Sequence, residues 1–195
     1  MIRRIKITNW RPPWGWLALA AFALAACGPD GSGTTGGATD PTDGGDDANQ
    51  VFVALQQDFD GFSSWPSYDL GVGTGDGLTN DNDRIAFINT RPPHGSSAFP
   101  IGTIIVKTDG SGADAGPTFA MVKRGGGFNA KGADGWEWFE LTPNANGGAT
   151  IVWRGTAPPL GDNYAGMSGN SCNQCHAGAS NNDFVPSPQL SLGSF

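Results

Sequence analysis

The sequence predicts a mainly β (α+β) domain: an antiparallel sheet with flanking short helices and a helical segment close to the C-terminus. Three observations carry this. Glycine is abundant, 31 of 195 residues, and only 15% of residues are charged, a balance that favours tight turns over long solvated helices. Five short runs rich in β-branched and aromatic side chains are each bounded by turn residues. Seven Trp and eleven Phe supply the large buried areas a small core needs.

Residues 1–26 read as a signal peptide. A basic start, MIRRIKITNWR, precedes an apolar run from Trp14 to Ala26, too short to span a bilayer comfortably and right for a secretory h-region. The run ends in LAAC, which resembles a bacterial lipobox and marks Cys27 as the lipidated first residue of the mature chain. Gly28 is not the aspartate associated with inner-membrane retention. The expected location is therefore the periplasmic side of the cell envelope, lipid-anchored at the outer membrane. Residues 27–50 hold no large apolar side chain and read as a disordered Gly/Asp-rich tether. The folded domain is expected over 51–195.

Within it, VFVALQQDF (51–59) is expected as a short helix, and 70–83 as a Gly/Asp-rich loop. The strand-like runs are RIAFINT (84–90), GTIIVKT (102–108), TFAMVKR (118–124), GWEWFEL (135–141) and TIVWRG (150–155). Their Gly-rich separators predict an antiparallel meander. Apolar residues on both faces of GTIIVKT and GWEWFEL predict a sheet covered on both sides. Trp136, Trp138 and Phe139 are expected in the core, and Glu137 and Glu140 facing solvent.

Charge narrows the partners. Without residues 1–26 the chain carries seven basic against eighteen acidic residues, a net charge of about −11. Such a surface repels nucleic acid and suits a basic redox partner.

The stretch GNSCNQCHAG (169–178) holds two of three cysteines and one of two histidines. Cys172, Cys175 and His176 form C-x-x-C-H, the c-type haem attachment signature. Two thiols three residues apart can each add to a haem vinyl group, and the next side chain then lies beneath the iron as proximal ligand. Competing readings are a Cys172–Cys175 disulfide, a redox C-x-x-C and half of a zinc site. The last lacks partners, because His94 is the only other histidine. Only 19 residues follow His176, whereas small class I cytochromes c carry the motif near the N-terminus with an axial Met after it. Both Met121 and Met167 precede it here. A four-helix cytochrome c′ needs long amphipathic helices that this Gly-rich chain cannot supply.

The order FPIGTIIVK, then TFAMVKRGGGFNAKGADGWEWFEL, then CNQCH resembles the cytochrome P-460 / cytochrome c′-β family, over most of 51–192. The resemblance implies a mainly antiparallel β fold and one covalent haem c, pentacoordinate, with His176 as iron ligand. It implies NO binding, or a haem oxidoreductase acting on hydroxylamine or NO and passing electrons to a redox partner cytochrome. It also implies a homodimer. Lys107 falls where cytochromes P-460 carry a lysine cross-linked to the porphyrin. Arg84 resembles an arginine near the distal pocket. The distal carboxylate of the oxidising enzymes has no evident counterpart. A second reading is a six-coordinate electron-transfer cytochrome, with Met167 or His94 as second ligand. A third is a haem-free binding module.

Overall fold

The computed structural model describes residues 50–72, 83–110, 116–145, 147–164, 167–168 and 171–195. The expected signal peptide, Cys27 and residues 28–49 of the expected tether lie outside the described residues, as does most of the expected Gly/Asp-rich loop. Six strands form one antiparallel sheet in chain order: β1 (Ser67–Val72), β2 (Asp83–Ile88), β3 (Ile104–Asp109), β4 (Thr118–Lys123), β5 (Trp136–Pro143) and β6 (Ala149–Gly155). A two-residue pair, β7 (Asn163–Tyr164) and β8 (Met167–Ser168), leads to α1 (Ser171–Ala177). The protein is thus mainly β, with 3-10 turns and one short helix. Among the described residues, no helix is long and apolar enough to cross a membrane.

The five expected strands are present with ends shifted by up to two residues. The expectations for two segments are corrected. Residues 51–59 are not a helix. Their first half is extended, with Val51 bridged to Gly125 and Phe52 N donating to Arg124 O at 2.9 Å, and only Gln56–Phe59 turns into 3-10. Alternation along this segment buries Ala54 and exposes Val51, Val53 and Leu55, a period of two that a helix cannot produce. Residues 70–72 belong to β1 rather than to a loop. This edge strand is mostly polar or exposed, and Gly71 takes φ 72° at a bulge, which hides its pattern in sequence.

Register decides what each face carries. Cross-strand partners run Ala86–Lys107–Phe119–Glu140–Trp153 in one row and Ile88–Ile105–Met121–Trp138–Gly155 in the next. These rows share a face, because alternate residues of a strand point the same way. That face packs Ala86, Ile88, Phe99, Ile105, Met121, Trp136 and Trp138 against Val185, Leu190 and Leu192 of the C-terminal segment. The opposite face packs Ile104, Val106, Ala120, Val122, Phe139 and Leu141 against Ala54, Phe59 and Phe62 of the N-terminal segment. Both faces are covered, which explains the continuous apolar runs. Burying each of Phe59, Phe99 and Phe139 contributes about 1.5–3 kcal/mol. The expectation that Glu137 faces solvent is corrected. It is 2% exposed, with Arg154 Nη2 at 2.6 Å and Arg124 Nη1 at 3.0 Å from its Oε2.

Gly125 and its two successors take φ 72°, 60° and 66°, which lets the chain fold back tightly between β4 and β5. A Cβ at Gly125 would lie 2.6 Å from both Gln50 O and Ile101 Cδ1. The N-terminal segment reaches its face of the sheet through that gap.

Candidate functional site

Helix α1 is seven residues long, too short to be stable alone. It is held by Asn173, the first residue inside the C-x-x-C spacing. Asn173 Oδ1 accepts from Asn129 Nδ2 (2.8 Å), Trp138 Nε1 (3.0 Å) and Ala133 N (3.2 Å). Its Nδ2 donates to Asn129 Oδ1 (3.0 Å) and Thr156 O (3.1 Å). One side chain thus ties the helix to β5 and to two loops.

On a helix, positions i, i+3 and i+4 share a side, so Cys172, Cys175 and His176 project together. They border one cavity on the first face of the sheet. Lys107, Ile105, Met121, Trp138, Trp153 and Tyr164 also line it. Its empty space, counted out to the open mouth, is about 960 Å³. The walls are mainly aliphatic and aromatic, the usual make-up of a small-molecule or cofactor site. Cys172 is half-buried, Cys175 exposed, and the two are separate thiols.

His176 Nδ1 lies 2.6 Å from the carbonyl oxygen of Phe184. A carbonyl only accepts, so Nδ1 carries the proton and Nε2 keeps the lone pair. The ring lies against Trp138, with centroids 4.5 Å apart. Burial pushes the His176 pKa down to about 4, against the opposing hydrogen bond to Phe184, and the positive Lys107 acts in the same direction as burial. His176 is half-buried and borders the cavity. A neutral imidazole with its Nδ1–H fixed by a backbone carbonyl is the arrangement metal-ligating histidines use.

The far wall was less legible. Trp153 Nε1 donates to Glu140 Oε2 at 2.7 Å and lies 3.0 Å from Tyr164 Oη. The Tyr164 hydroxyl donates to the same Glu140 oxygen. Burial first, and then the Glu140 hydrogen bond, raise the Tyr164 pKa to about 12. Glu140 is therefore not a plain surface carboxylate; it is half-buried behind two cavity-lining aromatics. Met121, Trp153 and Tyr164 also line the cavity, and no motif in the sequence marks them as site residues. Met121 and Trp153 could have been found from register, since they share the rows of Trp138 and Lys107.

Arg84 projects from the same side of β2 as Ala86 but pairs with Asp109, Nε to Oδ1 at 3.5 Å, and does not line the cavity. His94 is exposed on the β2–β3 connection and is likewise outside the lining. The Met167 side chain lies outside the described residues.

Fold and cavity together define a small antiparallel β protein whose one sheet face is capped by a C-x-x-C-H helix. Compared with known proteins, the chain matches no family model, no curated protein and no solved structure.

The residues present fit a covalently attached haem. Two thiols and a neutral imidazole stand on one side of one short helix, at the edge of an apolar cavity. Among the described residues, no three His, Cys, Asp or Glu side chains converge so as to hold a bare metal ion.

Proposed function

We propose that this chain is an exported, lipid-anchored c-type haem protein of the cytochrome P-460 / cytochrome c′-β type. One observation carries the reading: the C-x-x-C-H motif (Cys172, Cys175, His176) and Lys107, 65 positions before it and read apart from it in the sequence, border the same apolar cavity. Cys172 and Cys175 would hold the group by two thioether bonds, and His176 Nε2 would ligate its iron. When bound, the haem supplies an iron that takes a small ligand or exchanges electrons.

The chain's own residues set the selectivity. Ile105, Met121, Leu70, Ala86 and Val185 give the cavity apolar walls, which admit a small uncharged ligand such as NO and penalise an anion by desolvation. Asn173 and Phe184 O fix the helix and the imidazole before any ligand arrives, which lowers the cost of binding. Lys107 brings the amine for a porphyrin cross-link. Oxidation of hydroxylamine or NO is the second reading, favoured by Glu140. This carboxylate shares the row of Lys107 and accepts hydrogen bonds from two cavity-lining aromatics.

The test is the ferrous absorption spectrum of protein made in a host with c-type maturation. The expected product keeps its colour through acid–acetone extraction and shifts its spectrum on adding NO. A red-shifted ferrous Soret band that reverts in Lys107→Ala marks the cross-linked type. Glu140→Gln should abolish hydroxylamine oxidation and leave NO binding intact. Colourless protein with Cys172 and Cys175 disulfide-linked overturns the proposal.

A further inference from the structure

The carbonyl that holds His176 sits in an unusual piece of backbone. Asp183 and Phe184 both take left-handed φ, 49° and 64°. Neither is glycine, and a phenylalanine rarely adopts this region. Two such residues in succession persist only where the surroundings over-determine them. Here they do, and nearly every restraint converges on Asp183.

Its Oδ1 accepts from Lys123 Nζ at 2.7 Å, and its Oδ2 accepts from Phe99 N at 2.9 Å. Its backbone oxygen accepts from Trp136 Nε1 at 2.8 Å. The ion pair is largely enclosed, with 12% and 9% of the two side chains exposed. Lys123 is itself fixed, donating also to Asp134 O at 3.2 Å and lying 5.1 Å from the centre of the Trp136 ring. On the other side, Phe184 N donates to Ala179 O at 2.9 Å. The Phe184 carbonyl is thereby clamped between the end of β4, the start of β5 and the turn after α1.

We propose that Asp183 is a positioning residue for His176. It reads β4 through Lys123 and β5 through Trp136, and it transmits their placement to the Phe184 carbonyl. That carbonyl sets the tautomer, the ring plane and the basicity of the imidazole. A firm Nδ1–H···O bond makes Nε2 a stronger donor, so the clamp tunes any iron that Nε2 holds. The tuning rests on the haem reading above; the clamp on His176 does not.

Asp183→Asn keeps a residue that tolerates left-handed φ but removes the charge, and its amide nitrogen cannot accept from Phe99 N or Lys123. Lys123→Met removes the cation from the other end, and Lys123→Arg restores it. Asp134→Asn is the neighbouring charge control, since only the Asp134 backbone takes part. Two readouts are needed. In protein prepared without haem, exchange of the His176 Nδ1 proton is followed by nitrogen-15 NMR. In haem-loaded protein, the reduction potential and the iron–histidine stretching frequency are measured.

Asp183→Asn and Lys123→Met should speed Nδ1 proton exchange by about tenfold, the scale of one lost charge-assisted hydrogen bond. They should also raise the potential and lower the stretching frequency. Lys123→Arg and Asp134→Asn should match the parent protein. If both disruptive variants lower the melting temperature while exchange, potential and stretch stay put, Asp183 is structural only and the proposal falls. If no haem can be loaded, the cofactor reading fails while the exchange result still decides the clamp.

Discussion

His176 is neutral at physiological pH, because burial beside the cavity pushes its pKa down to about 4. Tyr164, across the same cavity, is displaced the other way, to about 12, by burial and by the carboxylate it donates to. The two shifts have a common physical source: apolar walls disfavour whichever form carries charge. For Tyr164 the consequence is a measurable alkaline limb. Between pH 10 and 12 the unfolded chain has lost the phenolic proton and the folded one retains it. Stability should therefore fall as pH rises through this window. Ultraviolet titration near 295 nm should show one tyrosine ionising only around pH 12, and earlier in Glu140→Gln; an unchanged curve in that variant refutes the pairing. Asn173 offers a sharper test. Replacing it by Ala strips acceptors from Trp138 Nε1, Ala133 N and Asn129 at once. Unsatisfied buried donors cost about 1–3 kcal/mol each, so Asn173→Ala should lose at least about 3 kcal/mol by urea unfolding. A loss below about 1 kcal/mol would show that α1 is held by something else.

Strands make the difference between a list of site residues and a site. Lys107 stands 65 positions before Cys172, and nothing local relates them. The register that pairs Lys107 with Phe119, and Phe119 with Glu140, puts the lysine on the face that α1 covers. The same register sends Glu137 to the opposite face, where Arg124 and Arg154 meet it. Arg154 also donates to Ala54 O, so this cluster ties β5, β4 and β6 to the extended N-terminal segment. Both arginines keep about a quarter to a third of their side chain in water. Breaking the cluster should therefore cost less than a fully buried pair, about 2 kcal/mol rather than 3–5. Glu137→Gln should lower the melting temperature by that equivalent and leave ligand-induced spectral changes untouched. A changed ligand spectrum would mean that the two faces are mechanically coupled. Much of this element-level picture was legible. Strands with β-branched and aromatic residues between Gly-rich turns announce themselves, and C-x-x-C-H does too. What escaped had weak signals: β1 carries few buried side chains, and residues 51–55 alternate for too short a stretch. Glu137 looks like a surface residue until its two arginines, 13 and 17 positions away, are brought to it.

At the scale of the whole molecule, the two faces divide the labour. The second face buries Phe59, Phe62, Phe139, Leu141 and their neighbours, and of this cluster's buried residues Ala120 and Phe139 alone border the cavity beside C-x-x-C-H. The first face carries both a core of its own and the cavity. A protein built this way should fold before any cofactor is attached, because Asn173 and the Asp183 clamp already hold α1 and His176. The pattern of the sequence reveals the sheet but not this order of events, which depends on hydrogen bonds between residues 35 to 60 positions apart. The double variant Cys172→Ser, Cys175→Ser tests it. Cys175 is exposed and Cys172 only half-buried, so a thiol-to-hydroxyl change costs little packing, about 1 kcal/mol or less in total. The variant should be colourless, keep the far-ultraviolet circular dichroism of an antiparallel sheet, and unfold in one cooperative transition. Its tryptophan near-ultraviolet bands should persist as well, since Trp136 and Trp138 are anchored by Asp183 O and Asn173 rather than by a ligand. If instead the variant lacks a cooperative transition, the bound group is part of the core, and the cavity is a product of attachment rather than its template.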